Sequence, residues 1–213
     1  MNLIARVMKK RRFFYPLFLL PIAYLAVPVL NSDTEFLADP AKYLLEYTGL
    51  ASTLLFVVTL CVTPLRKLFP KASVVKSLAF HRRALGLSVF AYALLHIVIY
   101  YFYTGTWAEF VKDWSKLFIL SGILAFVFML ALAITSNNRS VRALGGRNWK
   151  RLHRLAYAIM FLLIYHQAAQ EKTGYRETAQ YFAPLILLQT GRIAIALRDR
   201  RRKQSLQPPN TEP

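Results

Sequence analysis

The sequence predicts an all-α integral membrane protein, a bundle of six transmembrane helices with both termini cytoplasmic. Three observations predict it. Of 213 residues, 56% are hydrophobic and 18% charged, too little charge for a soluble domain of this length. The apolar residues gather into six runs, most of which approach the ~20 residues a helix needs to cross the hydrocarbon core. The segments between those runs alternate in charge.

The expected spans are 13–30, 45–63, 84–103, 117–135, 152–169 and 179–197. The first follows a basic start, MKKRR, as a signal peptide would, but no small-residue cleavage site comes after it, so it reads as an uncleaved helix. Pro16, Pro21 and Pro28 predict that it is kinked. Pro64, Pro70, Gly145 and Gly146 break the chain between spans. Residues 1–12 form a cytoplasmic N-terminus, and 198–213, basic and then Pro-rich, a disordered cytoplasmic tail. Lone Cys61 inside the second span excludes an internal disulfide and reads as a small core residue.

A net charge of +18 on a soluble chain would point to nucleic acid. Its distribution points to a bilayer instead. Lys and Arg number 5, 6, 6 and 6 in segments 1–12, 64–83, 136–154 and 192–213, against 1, 2 and 2 in 31–46, 104–116 and 167–180. Eight of the ten acidic residues fall in the second group. That is the positive-inside pattern at every loop, and it excludes a nucleic-acid module.

Four histidines remain: His81, His96, His153 and His166. His96 lies about 21 Å along its helix from Arg82, and His166 about 20 Å deeper than His153, at 1.5 Å per residue. His96 and His166 therefore share a level in the outer half of the membrane, and His153 shares the inner level with His81, Arg82 and Arg83. On one ideal helix His153 and His166 would be about 140° apart, awkward for two stacked cofactors. Two histidines at one depth on two helices suit a planar metal macrocycle held edge-on, with imidazole as axial ligand. The alternative is hydrogen-bond glue between helices. No carboxylate lies in a span centre, which argues against a proton or cation transporter. His81 reads as an interfacial residue, and Arg82 and Arg83 as topology-setting cations that contact lipid phosphate. Trp107 and Trp114 read as interfacial anchors.

The segments ADPAKYLLEYTGLASTLLFVVTLCVTPLRKLF, RRALGLSVFAYALLH and ALAITSNNRSVRALGGRNWKRLHRLAYAIMFLLIYH resemble the MsrQ (YedZ-type) family, from about residue 38 to 197. These are haem-binding membrane subunits of periplasmic methionine sulfoxide reductase systems, within the ferric-reductase-like transmembrane superfamily. The order TG, TPL, RR-x-LGL to His, then TS, LG, W, LH, Y and H carries the likeness.

The resemblance implies a b-type cytochrome in the bacterial inner membrane. It would pass electrons to a molybdopterin-containing periplasmic partner, MsrP, from the quinol pool or a cytosolic flavin reductase, with FMN as a further cofactor. It maps the haem-associated histidines onto His96, His153 and His166, and the arginine pair onto Arg82 and Arg83. Two-haem relatives carry a histidine where this chain has Arg82, with His81 one residue earlier. An outer haem on His96 and His166 is thus expected, and an inner haem on His153 has His81 as a candidate second ligand, or is five-coordinate, or takes another residue. Two other readings stand beside it: a ferric-chelate-type reductase with another periplasmic acceptor, and a non-redox membrane protein with structural histidines.

Overall fold

In the computed structural model, residues 21, 23–24, 26–31, 33–170 and 174–205 are described. The expected N-terminus 1–12, most of the first span and the end of the tail, 206–213, lie outside them. Every regular element among the described residues is helical.

Two short helices, α1 (Ala26–Leu30) and α2 (Thr34–Ala38), lead into α3 (Pro40–Leu68). The start of α3 is set by its sequence. The Asp39 carboxylate accepts from Lys42 N at 3.0 Å, and Pro40 occupies the first turn, where a missing N–H costs nothing. Helix α4 (Ser73–Phe80) leads through His81 into α5 (Arg82–Thr104), which stops at Gly105, whose φ of 77° glycine adopts without strain. A short α6 (Trp107–Lys112) and a 3-10 turn (Asp113–Ser115) precede α7 (Leu117–Ile134). Then come α8 (Asn138–Leu152), interrupted at Gly145 (φ 72°, ψ 145°), α9 (Leu155–Ala168) and α10 (Gly174–Ser205).

Helices α3, α5 and α7 are long and apolar enough to cross a membrane, and α9 is a shorter apolar helix. In α10 the apolar stretch carries Gln189 and Arg192. That helix continues to Ser205, past residue 197 where the sequence ends its sixth span. Arg, Lys and Gln are good helix formers, so the charged end extends an existing helix at little cost.

One expectation is corrected. His153 and His166 do not share a continuous helix. His153 caps α8, and the chain turns at His153–Arg154 before α9 begins. Across the turn the backbone tightens to i→i+3 bonds, Arg154 N to Arg151 O at 3.0 Å and Tyr157 N to Arg154 O at 2.9 Å. The 140° offset of an ideal helix therefore does not apply.

The extensive interfaces join α5 to α3, α3 to α10, α10 to α9, α9 to α7 and α7 to α5. Five helices thus close into a ring. Its interior is packed by Phe56 and Leu60 of α3, Val89 of α5, Ala125 of α7, Ile159 of α9 and Leu185 of α10. Cys61 is buried in the same core. On the outside Phe161 and Leu187 are 66% and 71% exposed, an apolar exterior suited to lipid chains and costly in water.

Candidate functional site

The antiparallel order of the ring places the end of α5 beside the start of α3, and the end of α9 beside the start of α7. Two of the predicted residues sit there. His96, on α5, lies against α3, and its Nδ1 donates to the Leu45 carbonyl at 2.9 Å. His166, on α9, lies against α7, and its Nδ1 donates to the Phe118 carbonyl at 2.7 Å. A carbonyl only accepts, so both imidazoles carry their proton on Nδ1 and keep the Nε2 lone pair. At His166 that lone pair receives the Gln170 amide at 3.3 Å, which agrees with the same tautomer.

The two rings face each other inside the bundle, centroids 6.4 Å apart and planes at 90°. Two imidazoles sharing one metal at a metal–nitrogen distance of ~2 Å would have centroids roughly 6.3 Å apart. The spacing therefore fits a shared ion between them. A metal-binding histidine commonly gives its other N–H to a backbone carbonyl, which fixes the ring and raises its basicity, and both rings do so here. Among the described residues no group of three or more His, Cys, Asp or Glu could hold a bare ion. The two imidazoles would suit an ion whose other donors arrive with it, as in a macrocycle.

Each ring also rests on a glycine. A Cβ built on Gly49 would lie 2.9 Å from His96 Cε1, and one on Gly122 2.7 Å from both Cε1 and Nδ1 of His166. These contacts are too short for real atoms, so only glycine lets the rings lie so close to α3 and α7. The sequence contained this signal as the dipeptides Thr48-Gly49 and Ser121-Gly122 in two spans. The first belongs to the family motif with no assigned role, and the second went unremarked.

The other predicted residues lie at the opposite end of the ring. His153 stacks on Trp149 with centroids 3.9 Å apart. Its Nε2 lies 3.3 Å from the Thr135 hydroxyl, whose own proton goes to Ala131 O at 2.7 Å. The hydroxyl therefore accepts from His153, which carries its proton on Nε2, opposite to the outer pair. Trp149 is held in turn by Thr135 O at 2.9 Å. The Thr-Ser, Trp and Leu-His elements of the sequence motif thus form one corner between α7 and α8.

Arg82 donates to Thr63 on α3 at 2.9 Å, and its charge acts on His153. Arg83 donates to Asn138, at the start of α8, at 2.9 Å. His81 is buried and packs edge-on against Phe80. The structure thus brings His96 to His166, and Arg82 into the electrostatic reach of His153.

Comparison with known proteins places the chain in a family. Residues 48–164, more than half of the chain, match the family described as "Ferric reductase like transmembrane component". The protein-methionine-sulfoxide reductase heme-binding subunit MsrQ of Ralstonia nicotianae is 36% identical over 172 residues, 78% of this chain and 77% of that protein. The chain belongs to the MsrQ family of ferric-reductase-like membrane proteins. MsrQ of Azospira oryzae is 39% identical over 61% of this chain and 55% of its own length. The magnetosome protein MamZ of Magnetospirillum gryphiswaldense is 35% identical over 70% of this chain but only 23% of its own. No solved structure matches.

Proposed function

We propose that this chain is a haem-binding electron-transfer subunit: a b-type cytochrome with six spans and cytoplasmic termini that carries electrons across the inner membrane to a periplasmic methionine sulfoxide reductase. The observation that carries the reading is the His96–His166 pair, two centroids 6.4 Å apart with each Nδ1 committed to a backbone carbonyl. Membership of a family whose relatives are named as heme-binding subunits supports the choice of metal group.

Haem bound there supplies the one-electron couple, and the protein supplies ligation, orientation and a dry surrounding. His96 and His166 would hold the haem iron through their imidazoles, and a group held by two histidines would favour electron transfer over chemistry on a bound molecule. The apolar core inward of them keeps water from the pair. At the inner end Arg82, Arg83 and His153 form the entry region, where cations suit haem propionates, a quinol carbonyl or the phosphate of FMN. His81 is the candidate second ligand of an inner haem. The quinol pool or a cytosolic flavin reductase is the donor in this reading. The acceptor is an MsrP-like molybdopterin protein whose basic patches complement the net acidic periplasmic loops.

The purified protein is expected to show reduced-minus-oxidised bands of a b-type haem, lost from the outer site in His96→Ala and in His166→Ala. Full haem content in both variants would refute the ligand assignment, and a colourless wild type would refute the cytochrome reading altogether. The family's ferric-reductase description favours one competing acceptor, a ferric chelate. Capture of a periplasmic molybdoenzyme by the tagged chain separates the two.

A further inference from the structure

The two histidine seats are built alike although they come from different helices. On α3, Leu45 offers a carbonyl, Thr48 follows at the third position and Gly49 at the fourth. On α7, Phe118, Ser121 and Gly122 repeat that spacing. The hydroxyls differ: Ser121 Oγ donates to Phe118 O, the carbonyl His166 uses, at 2.7 Å, whereas the Thr48 proton goes to Leu44 O at 2.7 Å and lies 3.1 Å from Leu45 O. A side chain on a helix covers the turn before its own Cα, so a residue four places on would normally screen the carbonyl at the first position. Glycine leaves that carbonyl open from the side, and the imidazole takes the space. The other helical glycines, Gly86, Gly146 and Gly191, have nothing within 4 Å of a built Cβ, so close contact is confined to the two seats.

We infer that Gly49 and Gly122, with Ser121, are positioning residues that set the strength of the two Nδ1–H···O=C bonds and thereby the reduction potential of the group held by His96 and His166. The inference rests on the haem reading above. Its physical basis is that a stronger bond at Nδ1 makes Nε2 a better donor, which favours the ferric state and lowers the potential. The bond weakens when a Cβ pushes the ring off the helix. It strengthens when the competing hydroxyl is removed, because the carbonyl then serves one donor fewer. Gly122 is the tighter seat, 2.7 Å against 2.9 Å, and should respond more than Gly49.

The test is a redox titration and ferric EPR spectrum of the purified full-length protein in detergent, for wild type, Gly49→Ala, Gly122→Ala, Ser121→Ala and the controls Gly86→Ala and Gly191→Ala. Gly122→Ala should raise the midpoint of the outer haem, Gly49→Ala raise it less, Ser121→Ala lower it, and the controls leave it in place. Unchanged midpoint and spectrum in both seat variants would overturn the inference. If Gly122→Ala instead purifies without haem, Ser121→Ala decides: a lowered midpoint supports the inference and an unchanged one overturns it. Absence of haem from the wild type would overturn the underlying reading, a different and separately visible failure.

Discussion

The two ends of the helix ring use histidine in opposite ways. At one end, His96 and His166 each spend Nδ1–H on a carbonyl and keep an Nε2 lone pair, which at His166 receives the Gln170 amide. At the inner end, His153 spends Nε2–H on Thr135, stacks on Trp149 and has the charge of Arg82 within reach. At the His96–His166 end Nε2 is an acceptor, and ligation at His166 would displace only the Gln170 amide, whereas ligation through Nε2 of His153 would require release of Thr135 and loss of the proton from that nitrogen. The difference lies in the second shell, because the residue type is the same at both ends.

The largest expected effect breaks the comparison directly. His166→Ala should abolish the outer haem signal, whereas His153→Ala should leave it; equal loss in the two variants would show that the ends are not independent. Next comes Thr135→Val, which removes the acceptor at His153 Nε2 and should alter only haem signals of the inner end. A shift in the outer midpoint of that variant would remove the distinction drawn here.

A smaller effect is expected at Gln167, whose buried amide donates to Thr53 at 3.0 Å while its Oε1 has no hydrogen-bond partner among the described residues. Gln167→Met should lower thermal stability by less than about 1 kcal/mol, because an interhelical bond in a membrane protein averages about 0.6 kcal/mol. A loss several times larger, read as the midpoint of detergent-solubilised unfolding, would show that this bond ties α9 to α3 far more strongly than its geometry implies.

The smallest effect lies in the outer loop. Lys116, 2.7 Å away, and the Tyr100 hydroxyl hold the Asp113 carboxyl below its usual range. A carboxyl depressed in the folded state contributes stability above its ordinary value of ~3.9, and that contribution disappears as pH falls through the lower folded value. Asp113→Asn should therefore cost less than about 1 kcal/mol at neutral pH. The gap between variant and wild type should close in acid, and a gap that widens there would contradict the assignment.

Much of the architecture was legible because lipid imposes simple rules. Apolar runs marked the helices now seen over Pro40–Leu68, Arg82–Thr104 and Leu117–Ile134. Counting rise along α5 and from the inner loop into α9 put His96 and His166 at one level, and the fold brings those rings together. The break at His153–Arg154 was not legible, since no proline or glycine stands there and the turn is fixed by Trp149 and Thr135 from outside the segment. The seats at Gly49 and Gly122 were missed for another reason. A glycine in a span has many uses, and only the partner helix shows what fills the missing Cβ.

The closed ring has a consequence for the order of assembly. Helix α10 follows the other four ring helices in the chain, and it packs against both α3 and α9, which also meet directly through Gln167 and Thr53. Until residues beyond Gly174 emerge, the ring lacks the packing that α10 adds against α3 and α9. A flat, rigid cofactor can enter sideways through a partly packed ring far more easily than end-on through a packed interior. Haem uptake by a chain ending before Gly174 would show whether loading can precede the docking of α10.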